Sequence, residues 1–590
     1  MKYLIGLYLL LPIMTLAQKH DYIWLPGRGK VADWPFSGVN YQGGGVVMSF
    51  HSNPPSTRLQ TFPLIMYPQA IISDKNGDLV AYTNGCHIAN KYHQIMDNGD
   101  TINPGRFQKN VQCLLYYPTY QGTIFLPDPG QEGRYYLFHM ALDYAGQPFL
   151  SGQRYYYSLI DAKANSGAGK VIDKNHLLLE NGTVGGYVTA TKHANGRDWW
   201  VISPERFSNK YYTFLLSPKG VEGPYTQIVG DSLPYPCCGM TIFSPDGSKY
   251  LRCTPHNGIK IFDFDRCTGQ LSNQIAIDSA QTASSGPGGL AFSGDNRLLY
   301  VSTNRFLLQY DMHASDIAAS KVVLAEIDWD PVPEIGSFHQ SLLAPDGKIY
   351  MVSLNYVLDM PVVHFPERQG KACKAVQRGF RLPALYGNDF IFNFPHYRLG
   401  PLDGSPCDTL GLDNHPLANF RWEHEDSTDI QQVTFTDLSA YEPASWQWTF
   451  GDGNTSTERY PIHRYAQNGV YTACLVVKNQ FSADTFCQKV YIGVTSAENP
   501  EIQNRIEVWP NPFSERLVLA LSTPELRRPV LSLFDITGRL VLTERLEYGV
   551  NEINTSGLEK GLYFWAVEAG VRVGDPHERE QVKSGKVVKM

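Results

Sequence analysis

The sequence has no excess of basic charge and, after residue 17, no apolar run that could cross a bilayer. Among its 590 residues, 57 acidic and 50 basic side chains give a formal net charge of −7. Nucleic-acid-binding domains carry clustered basic charge, so we expect no nucleic acid partner. A membrane helix needs about 20 consecutive apolar residues, which no later stretch supplies. These two absences argue against a nucleic-acid-binding protein and against a helical membrane protein.

Catalytic and metal-binding motifs are also missing. There is no G-x-S-x-G nucleophile elbow, no H-E-x-x-H zinc helix and no phosphate-binding Walker loop. The ten cysteines show no C-x-x-C or Cys/His ligand spacing, so no zinc site is predicted. Neither a metal nor a cofactor is therefore expected from motifs, and no catalytic residue is assigned.

The first 17 residues have the pattern of a cleaved secretory signal. Lys2 supplies the positive start, the apolar run extends from Tyr3 to Leu16, and Ala17 is the small residue at the predicted cleavage point. The alternative is a membrane anchor, for which the run is short. Export to an oxidising compartment permits disulfide bonds.

Residues 19–400 repeat one turn-and-strand unit, in which an apolar strand end is followed by a polar turn and a second apolar strand. The turn residues of six copies are separated by 56, 63, 51, 49 and 51 residues, by subtraction along Gly77, Gly133, Gly196, Gly247, Asn296 and Gly347. A period near 50 with several short strands per repeat is typical of a β-propeller blade.

We predict seven blades, with six or eight as alternatives. Gly387-Asn388 would open the seventh unit, and the strand 45–50 would close the ring by pairing with it. Asp246, Asp295 and Asp346 occupy the repeated turn and are interpreted as turn formers rather than catalytic carboxylates. The phrases F-S-P-D-G-S-K (243–249) and A-P-D-G-K-I-Y (344–350) resemble the WD40-like propellers of large exported bacterial proteins. The resemblance implies a fold and no particular function.

Consecutive aromatic residues crowd the second and third blades of this prediction. Aromatic faces with polar edges suit stacking on sugar rings or gripping a peptide. The ligand-binding candidates are Tyr135, Tyr156, Trp199, Trp200 and Tyr211. The alternative is that these rings pack between blades. Six histidines fall in different blades and could meet in the central channel as a metal or acid–base site; the alternative is that each packs within a blade or a turn. They are His87, His93, His139, His193, His256 and His339.

A Pro/Gly-rich linker at 401–416 leads to a stretch that reads W-Q-W-T-F-G-D-G. Trp446, Trp448 and Phe450 alternate with polar residues, which predicts a strand with one buried aromatic face, and the turn Gly451-Asp452-Gly453 ends it. With P-x-H-x-Y at 461–465 and G-x-Y at 469–471, this stretch resembles the PKD (polycystic kidney disease) domains, which are small immunoglobulin-like β-sandwiches. The resemblance covers 417–494 and implies a spacer or weakly adhesive module. Asp452 is interpreted as a turn former, with a calcium ligand as the weaker alternative.

One disulfide follows from strand register. If 479–482 is a four-residue hairpin loop, residue 478 faces residue 483, and counting outward Cys474 faces Cys487. Directly opposed residues on antiparallel strands are close enough to bridge. The alternative is a pair of buried free thiols. The pairing of Cys237, Cys238, Cys253 and Cys267 is not deducible.

After a second linker at 495–505, residues 506–590 form a third β unit with four short motifs. The motifs contain Pro510, Asn511, Pro512 and Phe513, then Asp535 and Gly538, then Gly561 and Tyr563, and last the terminal strand 585–590. In this order they resemble the type A sorting domain of the type IX secretion system. The resemblance implies recognition by the type IX machinery, removal of the domain, and release or attachment to surface lipopolysaccharide of a Gram-negative bacterium. A polar insertion at 571–584 and the terminal Met590 depart from the pattern, which bears on cleavage and attachment.

The predicted fold class is therefore all-β, a propeller of about seven blades followed by two immunoglobulin-like sandwiches. The first functional hypothesis is an exported binding or adhesion protein with an unidentified glycan or protein ligand. The second is a secreted hydrolase or lyase acting on polysaccharide from the propeller face, which would require paired carboxylates at the channel mouth. A third is a structural component of a surface machine, which the sequence does not separate from the first.

Overall fold

The computed structural model describes most of the chain from residue 18 onward. The described residues are 18–27, 45–60, 62, 69–105, 108–109, 117, 119, 121–143, 151–180, 186–233, 239–277, 288–303, 305–328, 336–353, 357–386, 392–425, 429–493, 506–509, 512–521, 527–547, 549–570 and 580–589. The predicted signal, Cys237, Cys238, the turn at Gly387-Asn388, Pro510 and Asn511 lie outside them. Within these ranges, no helix has the length and apolarity needed to span a membrane.

Residues 23–386 form seven antiparallel sheets in chain order, which we call blades 1 to 7. Blades 1 and 2 have three described strands each: β1 Ile23–Trp24, β2 Gly45–Ser49 and β3 Ser56–Gln60, then β4 Ala70–Ser73, β5 Leu79–Thr83 and β6 Ile88–Asn90. Blades 3 to 5 have four strands each: β7 Thr123–Pro127, β8 Arg134–Asp143, β9 Ser151–Asp161, β10 Lys170–Glu180, β11 Thr189–Lys192, β12 Trp199–Pro204, β13 Lys210–Ser217, β14 Gly220–Ile228, β15 Met240–Phe243, β16 Lys249–Thr254, β17 Gly258–Asp265 and β18 Gln270–Ile277. Blades 6 and 7 also have four: β19 Gly289–Phe292, β20 Leu298–Ser302, β21 Phe306–Asp311, β22 Val322–Glu326, β23 Ser341–Leu343, β24 Ile349–Met351, β25 Val357–Val363 and β26 Ala375–Tyr386. A short helix α1, Ala164–Gly167, links β9 to β10, and a 3-10 turn, Gly370–Cys373, precedes β26.

The blades follow one another around an axis, with their first strands side by side. Strand β4 lies beside β7, β15 lies between β11 and β19, and β19 lies beside β23. Blade 7 meets blade 1, because β26 lies against β2 and β3. This arrangement confirms the predicted propeller of about seven blades.

The seventh blade is not where the sequence placed it. Strand β2 pairs with β1 on one side and β3 on the other, so among the described residues it does not pair with the segment after residue 391. The extra blade is built at the amino-terminal end of the propeller, from strands whose turn lacks the repeated Asp-Gly pattern.

The six repeated turns have the backbone conformation that their residues predict. Gly77, Gly133, Gly196, Gly247 and Gly347 have φ between 71° and 97°, and Asn296 has φ 65°. Residues other than glycine and asparagine rarely adopt this left-handed conformation. Asp246 accepts the backbone N–H of Ser248 at 3.0 Å and Asp346 accepts that of Lys348 at 3.0 Å, which confirms their role as turn formers.

The propeller axis is filled by the chain itself, through residues 392–398, which we call the axial segment. The Asn393 side-chain amide donates to the carbonyl oxygens of Thr123 at 2.9 Å and Val188 at 2.7 Å. The Asn393 backbone N–H donates to Gln69 O at 3.3 Å. Because these acceptors precede or begin the first strands of blades 2, 3 and 4, one residue joins three blades.

The carboxyl-terminal half of the axial segment makes two further contacts. The Tyr397 hydroxyl donates to Phe125 O at 3.0 Å in blade 3. The Arg398 guanidinium donates to both carboxylate oxygens of Asp21, each at 2.7 Å, next to blade 1. Among the described residues, the axial segment lines a cavity of about 80 Å³, which has room for a few water molecules.

Two β-sandwiches follow the propeller. In the central sandwich the sheet β27 Phe420–Glu423, β28 Gln432–Asp437 and β31 Ile462–Arg464 faces the sheet β30 Thr455–Ser456, β29 Ser445–Thr449, β32 Gly469–Lys478 and β33 Ala483–Ile492. In the C-terminal sandwich the sheet β34 Ile506–Trp509, β35 Arg516–Leu521 and β38 Gly549–Asn554 faces the sheet β37 Leu540–Arg545, β36 Arg527–Phe534, β39 Gly561–Gly570 and β40 Glu580–Lys589. Each sandwich encloses its own apolar core.

The aromatic signature of the central sandwich is buried as predicted. Trp448 and Phe450 are 0% and 2% exposed, and Trp446 is half-buried beneath the Arg459 guanidinium. Gly451 and Gly453 have φ 83° and 95°, which ends the strand in the predicted turn.

The predicted disulfide is present. Cys474 lies opposite Cys487 in the β32–β33 ladder and the two are bonded, because the hairpin loop has the predicted length. A second disulfide joins Cys267, in the outer hairpin of blade 5, to Cys407 in the linker. Cys253 and Cys373 are buried free thiols.

The central sandwich packs against blade 7 through charged pairs. Glu425 accepts from Arg368 at 2.7 Å and lies 3.6 Å from the Lys374 ammonium. Arg421, only 1% exposed, donates to His364 O at 2.6 Å and pairs with Glu423. Glu423 also receives the Lys348 ammonium at 2.8 Å. A flexible spacer would make few contacts with the propeller. This sandwich is joined to the propeller by partly buried ion pairs.

Replacing Asn393 by alanine tests the role of the axial segment. Asn393→Ala removes two hydrogen bonds and leaves two buried carbonyl groups unpaired, each costing about 1–3 kcal/mol. We expect the free energy of unfolding to fall by about 2–4 kcal/mol in denaturant titrations. Asn468→Ala, at an exposed asparagine of the central sandwich, is the control and should change it by less than about 0.5 kcal/mol. Equal stability of the two variants would contradict this role.

Glu425 makes the propeller–sandwich interface sensitive to acid. Burial works to raise the pKa of Glu425, but the hydrogen bond from Thr434 and the charges of Arg368 and Lys374 outweigh it and hold the pKa below its ordinary value of 4.5. The stabilisation that ionised Glu425 gives to the interface is therefore fully present above pH 4.5. It is lost as the pH falls through the lowered pKa of Glu425.

Glu425→Gln should weaken the interface at neutral pH by about 1–3 kcal/mol, since a charged acceptor is lost. Calorimetry at pH 7 should then separate the propeller and sandwich transitions, and we expect acid to do the same in the wild-type protein. Glu458→Gln, at an exposed carboxylate of the same sandwich, should leave the unfolding profile unchanged. An E425Q profile identical to wild type would show that this ion pair does not hold the domains together.

Candidate functional site

The candidate site is a groove of about 960 Å³ between the turns of blades 2 and 3 and the linker that enters the central sandwich. Blade 2 contributes the turn 74–80, and blade 3 contributes the turn 127–135 together with 162–169. The opposite wall is made by Gly400, Pro401, the stretch 411–413, His415 and Tyr441. Binding sites for small ligands have volumes of about 300–1,000 Å³, so the groove is large enough for an extended ligand.

The linker wall is fixed by contacts to blades 4 and 5. Arg266, 4% exposed, donates to Gly400 O at 2.5 Å and to Lys192 O at 3.0 Å. The N–H of Leu402 donates to Ala194 O at 2.8 Å. Next to Arg266, the Cys267–Cys407 disulfide attaches the linker covalently. Gly196 lies against Pro401. A Cβ atom on residue 196 would lie 2.6 Å from the Pro401 nitrogen, so the close approach requires glycine.

The blade wall is held by an ion pair and two carboxylate-capped turns. Lys75 and Glu132 pair at 2.8 Å and join the turns of blades 2 and 3. Asp74 accepts the backbone N–H groups of Asn76 at 2.8 Å and Asp78 at 3.0 Å. Asp128 accepts the N–H of Gly130 at 2.8 Å.

The charges of the groove are of both signs. The hydrogen bond and charge of Lys75 lower the pKa of Glu132, so this carboxylate is ionised at neutral pH. Lys91 and Lys163 are exposed and line the groove on either side of α1, and among the described residues neither is recorded in an ion pair with a carboxylate. Burial lowers the pKa of His20 to about 4, so this imidazole is neutral at the same pH. The groove therefore offers fixed charges and backbone polar groups.

The five aromatic residues predicted to bind a ligand are buried, with exposures of 0–5%. Tyr156 stacks on His139 at 5.7 Å, and Trp199 lies under the Lys192 ammonium at 4.1 Å. Trp200 donates to Arg266 O at 2.8 Å, and Tyr211 packs edge-on against Tyr250 at 5.9 Å. These four rings are packed in the interior of the propeller, which agrees with the packing alternative. Both faces of a blade are covered by its neighbours, so both rings of each consecutive pair are interior. Tyr135 is buried as well, but it borders the groove.

Three of the six candidate histidines make local contacts within the propeller. The two nitrogens of His139 contact Asn103 at 2.7 Å and Ser158 at 2.9 Å, and burial lowers its pKa to about 3. His93 contacts the Tyr82 hydroxyl at 3.2 Å, and His193 contacts Cys267 O at 3.2 Å. The described part of the chain holds no cluster of three or more His, Cys, Asp or Glu side chains arranged for a metal.

Asp452 of the glycine turn is occupied by protein donors. It accepts from the Asn454 backbone N–H and side-chain amide, each at 3.0 Å, and its Oδ2 lies 2.7 Å from His463 Nε2. Burial alone would raise the pKa of Asp452, but these bonds and the His463 charge lower it. This is the turn role expected from the sequence, and a calcium role stays an untested prediction.

The motif residues of the C-terminal sandwich lie at its turns and strand ends. Phe513 is 1% exposed and its N–H donates to Val588 O at 2.8 Å, while the neighbouring Pro512 is exposed. Asp535 accepts from Thr537 and Arg539, which lowers its pKa to about 2.

The other three motif residues also have structural positions. Gly538 has φ 82°, and Gly561 begins β39 opposite Lys589. The Tyr563 hydroxyl donates to Glu559 O at 2.7 Å.

Two family models match the chain after the propeller. One, described as a PKD domain, matches residues 414–494, and one described as a secretion system C-terminal sorting domain matches residues 507–574. Both resemblances seen in the sequence are thereby confirmed. The sorting domain assigns the protein to the type IX secretion system of Bacteroidetes, so it is secreted or located at the cell surface.

Individual relatives match the chain over limited lengths. Sixty-three residues are 38% identical to collagenase ColA of Bacillus cereus, covering 11% of this chain and 6% of the collagenase. The PKD1 domain of Vibrio anguillarum Epp is 27% identical, and the match covers 14% of this chain and 98% of that domain, with a TM-score of 0.13. The β-propeller domain of Myceliophteria thermophila Cps50 (Swd1) is 9% identical over 53% of this chain and 88% of its own, with a TM-score of 0.32. None of these matches carries an activity to this chain.

Proposed function

We propose that the protein is a secreted or cell-surface binding protein whose groove holds a polar ligand, with a glycan chain as the first candidate and a protein segment as the alternative. The observation that carries the proposal is the groove itself, formed jointly by two blades and the linker of the PKD domain. A ligand site between two domains that are held together needs no closing motion, and preorganisation of this kind favours affinity.

The chemistry of the groove favours a ligand rich in hydroxyl and charged groups. Its walls present the backbone of glycine-rich turns, including Gly130, Gly167 and Gly411, together with fixed charges of both signs. Sugar hydroxyl groups both donate and accept hydrogen bonds, so they match mixed amide, carbonyl and charged partners. Tyr135, which is 5% exposed, borders this polar surface.

The axial channel supports the enzyme hypothesis less well. A hydrolase of the type considered from the sequence needs two carboxylates about 5–9 Å apart at the channel mouth. Among the described residues that line the axial cavity, Asp21 is the one carboxylate, and Arg398 binds both of its oxygens. In the groove, Asp74 and Asp128 accept backbone N–H groups of their own turns, and Glu132 is paired with Lys75, which lowers its pKa, opposite to what a general acid requires. Asp78 and Asp413 also line the groove, so a catalytic role there is the alternative that the product masses below address. We therefore place binding ahead of catalysis.

The sorting domain supports a further step after export. By analogy with its family, the machinery would remove this domain and release the mature protein or attach it to surface lipopolysaccharide. Either outcome leaves the propeller and PKD domain, and with them the groove, in the exported protein.

Blocking the groove tests the proposal. Purified chain is incubated with a panel of polysaccharides and glycoproteins, and bound protein and product masses are read from the same wells. Asn76→Trp, at an exposed residue of the groove wall, should reduce binding of the selected ligand at least tenfold, because the indole occupies the ligand volume. Lys371→Trp, at an exposed residue of blade 7, should bind as wild type does.

Two results would contradict the proposal. Equal binding by Asn76→Trp and wild type would place the ligand elsewhere. New, smaller product masses that disappear in Asn76→Trp would establish an enzyme acting in the groove instead.

A further inference from the structure

The linker forms a loop whose two ends are fixed to each other and to the propeller. Asn414 is 1% exposed, and its side-chain amide donates to Pro401 O and to an Asp403 carboxylate oxygen, each at 2.9 Å. The Leu402 N–H donates to a carbonyl oxygen of blade 4 at 2.8 Å. These bonds close the base of the loop, from which residues 403–413, which we call the linker loop, extend.

Beyond its base, the linker loop has no hydrogen bond or ion pair to a blade among the described residues. Its own hydrogen bonds are internal, for example from the Asp408 N–H to Ser405 O at 3.0 Å. Residues 409–413 are exposed, so they are not packed into a core. The Cys267–Cys407 disulfide is therefore the attachment that holds the far end of the loop to the propeller.

The blade side of this disulfide is firmly held. The Cys267 N–H donates to the Asp265 carboxylate at 2.8 Å, and the Cys267 carbonyl oxygen lies 3.2 Å from His193 Nε2. The preceding residue, Arg266, is buried and donates to Gly400 O. The disulfide therefore ties the linker loop to a fixed point on blade 5.

The linker loop contributes residues 411–413 to the groove wall. With the disulfide in place, the six residues 408–413 separate Cys407 from Asn414. Without it, the eleven residues 403–413 are held at the base of the loop alone. The longer stretch samples more positions, because the spread of a flexible chain grows with its length. The disulfide thus determines whether this part of the wall stays beside the blades.

We propose that the Cys267–Cys407 bond is a redox switch for the groove: the wall is complete in the oxidised protein and opens when the bond is reduced. The functional meaning of the switch rests on the proposed function, since an open wall matters if the groove binds the ligand. Disulfides persist in oxidising compartments outside the cytoplasm. The exported protein is therefore competent to bind, whereas a chain with reduced cysteines is not.

The switch closes by thiol–disulfide exchange with a disulfide oxidant. The thiolate of one cysteine attacks a sulfur of the oxidant, which forms a mixed disulfide and releases one thiol. The thiolate of the other cysteine attacks its partner's sulfur, which forms the Cys267–Cys407 bond and releases the second thiol. The two cysteines lose two protons and two electrons, the oxidant gains them, and a dithiol reductant reverses the sequence. Both cysteines are partly exposed, so a small reagent reaches the bond.

The Cys474–Cys487 bond provides a matched control. It joins β32 to β33 inside a ladder that pairs the two strands along their full length. Loss of this bond leaves the strands held by backbone hydrogen bonds. Loss of the Cys267–Cys407 bond leaves the far end of the linker loop without such bonds to a blade among the described residues.

Limited proteolysis tests the switch without a ligand. The purified wild-type chain, a Cys267→Ser/Cys407→Ser variant and a Cys474→Ser/Cys487→Ser variant are digested with proteinase K under native conditions, and the cleavage sites are identified by mass spectrometry. Proteases cut segments that open locally. We expect cleavage within 403–413 to be faster by about tenfold or more in the first variant and unchanged in the second. Wild type treated with a dithiol should behave as the first variant does, and reoxidation should restore slow cleavage.

Two proteolysis results would overturn the switch. Equal cleavage of the linker loop in all chains would show that the disulfide does not hold it. Cleavage spread over the blades of the Cys267→Ser/Cys407→Ser variant would show that the bond stabilises the whole propeller and does not control one loop.

The effect on the groove is measured with the polysaccharide or glycoprotein that the panel selects. We expect the Cys267→Ser/Cys407→Ser variant to bind it about fivefold more weakly or worse, and the Cys474→Ser/Cys487→Ser variant to bind as wild type does. Faster cleavage of the linker loop with unchanged affinity would also overturn the switch.

The switch and the proposed function fail separately. If loss of the bond releases the linker loop but wild type binds nothing in the panel, the proposed function fails and the redox control of the loop stands. If wild type binds through the groove and the Cys267→Ser/Cys407→Ser variant matches it in cleavage and affinity, the switch fails and the proposed function stands.

Discussion

The structure depends on the axial segment, which ties the ring of blades together from its centre. Asn393 forms hydrogen bonds with backbone groups beside the first strands of blades 2, 3 and 4. Arg398 forms an ion pair with Asp21, which precedes the first strand of blade 1. These groups are buried, so each unmade bond would leave a polar group without water. The segment follows the last blade in the chain and fixes residues that precede the first, so it joins the two ends of the propeller although it adds no described strand to a sheet.

The axial segment also affects where the propeller has room for a ligand. Among the described residues it lines a cavity of about 80 Å³, and we therefore place the proposed site on the face of the propeller. The segment is followed directly by Gly400, whose carbonyl oxygen accepts a hydrogen bond from Arg266. This bond and the Cys267–Cys407 disulfide hold the linker along one side of the groove. The PKD domain, joined to blade 7 through Arg421 and Glu425, completes that wall. The groove is thus a product of domain packing.

Turns, strands and a disulfide within one hairpin were predictable from the sequence, and contacts between residues far apart in the chain were not. The repeated Asp-Gly turns, the aromatic strand at Trp448 and the Cys474–Cys487 register depend on neighbouring residues, so a single sequence contains the information. The position of the extra blade depends on β1 to β3, whose turns carry no repeat signal. The Asp21–Arg398 pair joins residues 377 positions apart, and no local pattern marks it. The consecutive aromatic residues left ligand binding and blade-to-blade packing open, because alternation of side chains along a strand does not show whether a neighbouring blade covers each face. The groove was not found, since its wall residues are turn glycines and charges that resemble any exposed loop.

The most direct test of the account is hydrogen–deuterium exchange of the mature chain with and without the ligand that the panel selects. The account predicts added protection in the groove segments 74–80, 127–135, 162–169 and 411–415, with no change in the outer strands of blades 5 and 6. Protection confined to those outer strands, or to the C-terminal sandwich, would contradict it and would move the binding site away from the joint between propeller and PKD domain.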